Sequence, residues 1–165
     1  MQLSTKYTAD YSTRIDALGI PAKAKDYQLT GAACLINMAL FDTQTVKAAV
    51  LSIEDKCIEI KSIQERCSIS QLCTQITRAK CRYIVVRTGR FRRGLCGEKQ
   101  VVVLVWMPDD APVADRVEYK AQASTLCAQL RHVDCVVDVT DWNEFTHWRI
   151  MARVSELRRN KSDKA

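Results

Sequence analysis

Eight cysteines and two histidines are the residues of this chain that could hold a metal, form disulfides or act as nucleophiles. The cysteines lie at positions 34, 57, 67, 73, 81, 96, 127 and 135, so no two have the C-x-x-C spacing. Neither His132 nor His147 lies beside a cysteine pair, and zinc sites are built from such closely spaced pairs. Residues 1–11 lack an apolar run of signal-peptide length. We therefore expect no structural metal site, and reduced, mostly buried cysteines that pack as small apolar side chains.

The sequence also lacks the common catalytic motifs. It has no G-x-S-x-G or H-E-x-x-H, and residues 89–97 lack the G-K-[ST] ending of a phosphate-binding loop. Asp109 and Asp110 are adjacent at a helix start, where carboxylates act first as capping groups. A redox role for one cysteine stays open, because the pKa of a thiol depends on its surroundings. We expect a binding protein rather than an enzyme.

The composition favours one domain with an acidic partner. The 165 residues carry a net charge of +6, which suits an acidic protein surface, anionic lipids or nucleic acid. Residues 1–28 are predicted to be a loosely ordered polar extension, residues 29–159 a single domain, and residues 160–165 a frayed tail.

Two apolar runs, residues 82–86 and 101–106, are predicted to be central strands that are covered on both faces. The connection between them, residues 88–100, holds three glycines and four cationic side chains. Pro112 then suits the first turn of a helix. Its buried stripe is predicted to consist of Tyr119, Ala123, Leu126 and Leu130, with Arg116, Lys120 and Ser124 in another row.

The remaining patterns supply elements that cover these strands. Residues 46–53 and 56–61 predict a hairpin with its turn at Glu54-Asp55, and residues 133–139 predict a strand. Helices are predicted from Thr30 and Ser68, and a last one after Asp141, which has capping-box spacing to Glu144. The last helix carries the apolar residues Trp142, Phe145, Trp148, Ala152 and Val154. The fold class predicted is α/β, a mixed five- to six-stranded sheet sandwiched between helices on both faces.

Several of these stretches resemble one known family. They are C-R-Y-I-V-V at 81–86, the strand at 102–106, W-x-P-D-x-A-P at 106–112 and R-V-E-Y at 116–119. Over residues 46–157 the chain is similar to the actin-depolymerising factor/cofilin homology domain. The resemblance implies a mixed sheet between helices, binding to actin monomers, filaments or both, binding to phosphoinositide lipids in many members, and no cofactor.

The resemblance also implies a set of actin-binding residues. On the long helix they are Arg116, Val117, Lys120 and Gln122. The family's first basic position falls here on Ala114, and the family's stretch after the tyrosine is replaced by residues 120–123. The filament side is implied to use Arg90, Arg92, Arg93, Lys99, Arg149 and Arg153. Thr30 and Gly31 are the counterpart of the N-terminal regulatory site, here behind an extension of about 29 residues.

On this basis we expect a monomeric, cytoplasmic protein of the cytoskeleton that regulates actin filaments by depolymerisation, severing or monomer binding. One alternative is a divergent module that sequesters monomers or binds an actin-related complex without severing. A second alternative is nucleic-acid binding, suggested by Phe91 among the cations of residues 90–93. We do not expect nucleic acid as the partner, because that patch is short and lacks further aromatic residues.

Overall fold

The computed structural model describes residues 28–29, 47–88, 100–131 and 133–164. The strands are β1 (Gln28–Leu29), β2 (Ala48–Glu54), β3 (Cys57–Gln64), β4 (Arg82–Thr88), β5 (Gln100–Trp106) and β6 (Cys135–Val139). The helices of the described ranges are α1 (Ile69–Leu72), α2 (Val113–Gln129) and α3 (His147–Ser162), with 3-10 turns at Cys73–Gln75 and Trp142–Glu144. The helix predicted from Thr30 lies outside the described residues.

The strands form one mixed sheet in the order β1-β3-β2-β4-β5-β6. Strands β1 and β3 pair in parallel, as do β5 and β6, and the other pairs are antiparallel. Alternate residues of β4 and β5 enter two separate cores, one under α2 and one under α1 and α3. The predicted α/β sandwich with two central strands buried on both faces is therefore confirmed.

The hairpin of β2 and β3 is confirmed, but its turn lies one residue later than predicted. Asp55 and Lys56 occupy the turn, with φ values of 48° and 61°. Two consecutive positive φ angles match the right-handed twist of the flanking strands. Such turns favour glycine, because glycine has no Cβ and adopts positive φ without a steric clash. Lys56 adopts this conformation at a steric cost that glycine does not have.

We expect Lys56→Gly to raise the free energy of unfolding by about 0.5–1 kcal/mol, because glycine removes the strain of a left-handed backbone. Urea denaturation of the purified protein measures the change. Lys56→Ala is the matched control, since it removes the same charge and keeps the strain. A glycine variant that is no more stable than the alanine variant would contradict the prediction.

Two tyrosines fix α2 on the sheet. The Tyr83 hydroxyl donates a hydrogen bond to the backbone oxygen of Tyr119 at 2.6 Å, and the Tyr119 hydroxyl oxygen accepts one from the Ile53 N–H at 2.8 Å. Strand β4 pairs with β2 only as far as Leu51, so the Ile53 amide takes the tyrosine oxygen as its acceptor. The predicted buried stripe of Tyr119, Ala123, Leu126 and Leu130 is confirmed.

Tyr119→Phe is expected to lower the free energy of unfolding by about 1–2 kcal/mol, because it leaves the Ile53 N–H without its acceptor. Tyr83→Phe is the control. It removes a donor to a helical carbonyl, which keeps a second lone pair for its helical bond, and should cost less. Thermal and urea unfolding of both variants give the comparison. Equal stability of Tyr119→Phe and the wild type would refute this role.

The observed helix starts agree only in part with the predicted ones. Ser68 and Gln71 form the capping box of α1. The carboxylate of Asp141, however, accepts the Asn143 N–H at 2.8 Å and so caps the 3-10 turn instead of α3. The prediction that Asp141 caps the last helix is wrong, because extended backbone at Thr146 separates that turn from α3.

Candidate functional site

The described cysteines offer little chemistry. Six of them are free, at positions 57, 67, 73, 81, 127 and 135. Burial raises the pKa of the Cys81 thiol to about 11 and also raises the pKa of Cys67, Cys127 and Cys135. These four thiols therefore stay protonated near neutral pH and are poor nucleophiles. No group of three or more His, Cys, Asp or Glu within the described ranges could hold a metal ion. None of the described helices is long and apolar enough to cross a membrane.

Helices α2 and α3 begin at the same end of the sheet. Because β5 and β6 are parallel, their carboxyl ends meet there, and the Met107 N–H donates to the Val139 oxygen at 2.9 Å. Helix α2 follows β5, and α3 follows β6. Pro112 marks the first boundary and Thr146 the second. The first turns of two helices on opposite faces of the sheet thus share one end of the molecule.

Large apolar side chains are exposed at both of these helix starts. Val113 and Val117 of α2 are 65% and 63% exposed, and Trp148 of α3 is 67% exposed. The other exposed large hydrophobic residues in the described ranges, Val136 and Leu157, have only 37% of their surface exposed. Val113 and Val117 lie one helical turn apart, so they share a side of α2. We refer to Val113, Arg116, Val117, Lys120 and Trp148 as the helix-start surface.

Arg116 is only partly satisfied within the helix-start surface. Its Nη1 lies 3.2 Å from Oδ1 of Asp109, a residue that is itself well exposed. Its Nε–H is buried and has no acceptor among the described residues. An unpaired buried donor costs about 1–3 kcal/mol. An external carboxylate that drew this guanidinium outward would therefore gain a charge-assisted bond and also relieve that cost.

Lys120 and Arg153 both contact β6. The Lys120 ammonium pairs with the carboxylate of Asp138, whose side chain lies on the α2 side of the sheet. Arg153 of α3 donates to the backbone oxygen of Asp138 at 2.8 Å, and it lies 3.6 Å from a carboxylate oxygen of Glu144. One residue of the edge strand therefore holds a cation from each of the two helices.

Trp148 stacks with its neighbour. The Arg149 guanidinium lies 5.3 Å from the centre of a Trp148 ring, a cation–π distance. Tryptophan and arginine are both enriched among the residues that carry most of the binding energy at protein interfaces. The sequence had placed Trp148 among the apolar residues of the last helix. The buried side of α3 is instead set by Ile150 and Val154, from which Trp148 points away into solvent.

The predicted site residues fall into four groups. Arg116, Val117 and Lys120 lie on the first two turns of α2, where Arg116 is half-buried and the other two are exposed. Gln122 is half-buried and lies roughly 200° around the helix from Lys120, so the structure does not bring it to the same side. Arg149 and Arg153 are exposed on α3. The others lie outside the described residues: Thr30, Gly31, Arg90, Arg92, Arg93 and Lys99.

Sequence reasoning missed Val113 and Trp148. For Val113 the usable signal was its position directly after Pro112, in the first turn of a helix whose buried stripe begins only at Tyr119. For Trp148 the signal was the spacing of Ile150 and Val154, which defines a buried side that excludes it.

Several solved structures of known proteins have a fold similar to that of this chain. The crystal structure of Streptomyces griseoflavus cofilin is similar with a TM-score of 0.68 at 16% identity, covering 78% of this chain and 96% of that chain. Human coactosin-like protein gives a TM-score of 0.69 at 11% identity, covering 79% and 98%. Plasmodium berghei actin depolymerization factor 2 gives 0.65 at 16% identity, covering 83% and 96%.

These likenesses establish a shared fold, and the sequence itself establishes the family. No curated protein sequence matches the chain. The family model described as cofilin/tropomyosin-type actin-binding protein, in contrast, matches residues 34–155. That range includes β2 to β6 and most of α3, and therefore the whole helix-start surface. The chain belongs to the cofilin/tropomyosin-type family of actin-binding proteins.

Proposed function

We propose that this protein binds actin monomers through the helix-start surface. The observation that carries the proposal is the exposure of Val113, Val117 and Trp148 at one end of the sheet, beside Arg116 and Lys120. Covering such exposed apolar side chains with a partner is favourable, by about 25 cal/mol per Å² of apolar surface that is removed from water. A cleft with an apolar floor and acidic rim would suit both the apolar and the cationic groups.

In the proposed complex the apolar and the cationic side chains have different roles. Val117 and Trp148 supply buried apolar area, and Trp148 is large enough to act as the main anchor. Arg116 exchanges its contact with Asp109 for a carboxylate of actin, while Lys120 lies at the rim of the interface. The mechanism is binding alone, without any chemical step.

A second contact, with a neighbouring subunit of a filament, would use Arg149 and Arg153 of α3. Both already have partners within the chain, Trp148 for one and Glu144 with Asp138 for the other. Monomer binding also breaks internal pairs, those of Arg116 with Asp109 and Lys120 with Asp138. It adds the burial of the exposed apolar side chains at the helix starts, however, and this apolar area supports monomer binding as the primary activity, with depolymerisation or severing dependent on further residues.

Phosphoinositide binding by α3 has less support in the structure than actin binding. A shallow groove on the exposed side of α3 is lined by Ala152, Arg153, Glu156, Arg159, Asn160 and Asp163. Its two cations alternate with two carboxylates, which would repel a multiply charged phosphate head group. We therefore propose a protein partner for this part of the surface.

A monomer titration and a filament co-sedimentation assay test the proposal together. We expect a monomeric protein that binds actin monomers saturably and one to one. Because actin is the partner, we propose that the protein acts at the cytoplasmic cytoskeleton. Pyrene-actin kinetics then separate faster disassembly, expected of a severing protein, from a reduced polymerisable pool, expected of a sequestering one. Absence of binding to both forms of actin would refute the proposal and favour an actin-related complex as the partner.

A further inference from the structure

Asp138 occupies an unusual place in β6. It belongs to the edge strand of the sheet, its carboxylate pairs with Lys120 of α2, and its backbone oxygen accepts from Arg153 of α3. Its side chain is about one-third exposed, and the Lys120 side chain is 60% exposed. The pair therefore sits at the surface, where an external group can reach it and compete for either charge.

We infer that Asp138 is an affinity-limiting residue, a carboxylate of this chain that competes with the partner for Lys120. The inference rests on the proposed function, because it assigns a regulatory role within the same surface. A partner carboxylate that approaches Lys120 meets an ammonium that is already paired, and it meets the negative charge of Asp138 beside it. Association must break the internal pair before the external one forms.

The size of this competition follows from the setting of the pair. Exposed ion pairs contribute about 0.2–1 kcal/mol, because water and salt screen them. Removing the charge of Asp138 should therefore raise the affinity for actin monomers by about 1.4- to fivefold, the factor equivalent to that range. The gain should depend on Lys120, since the mechanism is the release of that ammonium.

The test is a double-mutant cycle with Asp138→Asn and Lys120→Ala, measured by titration against labelled actin monomers. In the wild-type background, Asp138→Asn is expected to tighten binding by about 1.4- to fivefold. In the Lys120→Ala background the same change should have a smaller effect than in the wild type, or none, because the ammonium that it releases is absent. Glu65→Gln is the matched control, because it removes an equal charge from an exposed position just after β3, at the end of the sheet away from the helix starts. It should leave the affinity unchanged.

The outcomes separate this inference from the proposed function. Wild-type protein that does not bind actin refutes the proposed function. Wild-type binding with an Asp138→Asn variant that binds equally or more weakly overturns the inference alone. An equal gain in both backgrounds, or an equal gain from Glu65→Gln, would show that the effect comes from net charge alone and would also overturn the inference. Thermal unfolding of each variant monitors the fold, and Asp138→Ser provides a second, smaller replacement if the amide destabilises the edge strand.

Discussion

A double variant with Arg116→Ala and Lys120→Ala is expected to bind actin monomers about 2–4 kcal/mol more weakly than the wild type, the range for truncating a charged anchor. Most of that loss should come from Arg116. Its Nε–H lacks an acceptor among the described residues, so an actin carboxylate improves its contacts. Lys120 contributes less, because it must first leave Asp138. Fluorescence titration of actin monomers gives the dissociation constants.

The matched control for this variant is a change of two other cations, Lys47→Ala with Arg66→Ala. Both residues are exposed and lie beside the start of β2 and the end of β3, at the end of the sheet away from the helix starts. If the affinity depends on net charge alone, the two double variants will weaken binding equally. Equal affinity of the Arg116/Lys120 variant and the wild type would exclude the start of α2 from the interface.

Trp148→Ala is expected to weaken monomer binding by about 2 kcal/mol, because a desolvated tryptophan at an interface carries a large share of the binding energy. The free protein should keep its stability, since Trp148 is 67% exposed and contributes little to the core. Isothermal calorimetry on actin monomers and urea denaturation of the free protein measure the two effects separately.

Leu157→Ala is the control for the loss of an exposed apolar side chain. Leu157 lies on the same helix, more than two turns further along, and is 37% exposed. It should leave monomer affinity unchanged. A Trp148→Ala variant with wild-type affinity would show that the start of α3 does not contact actin, and would restrict the interface to α2.

The framework of the fold could be predicted because it depends on local patterns. The apolar runs of β4 and β5 are too long to be half-exposed, and the Pro112 boundary with the Tyr119 stripe defines α2 by itself. The resemblance of residues 106–119 to the family was carried by the same segment. Each of these features is visible within about 20 consecutive residues.

The site could be predicted only in part, because its geometry depends on packing between distant segments. The Lys120–Asp138 pair joins residues 18 positions apart, and it exists because β6 is parallel to β5 and borders α2. The exposure of Trp148 depends on which side of α3 meets the sheet. The observed role of Asp141 differs from the predicted one because the chain makes a separate 3-10 turn before α3. Capping-box spacing alone does not reveal this break.

Amide hydrogen exchange in the free and actin-bound protein tests the central claim most directly. The first turn of a helix leaves its N–H groups without intrahelical acceptors, so these amides exchange fast unless a partner covers them. We predict that actin monomers slow exchange at residues 113–115 and 147–149, the first-turn amides without helical acceptors, and leave residues 54–57, at the β2–β3 turn, unchanged. Protection at the β2–β3 turn, with none at the starts of α2 and α3, would contradict the proposed interface.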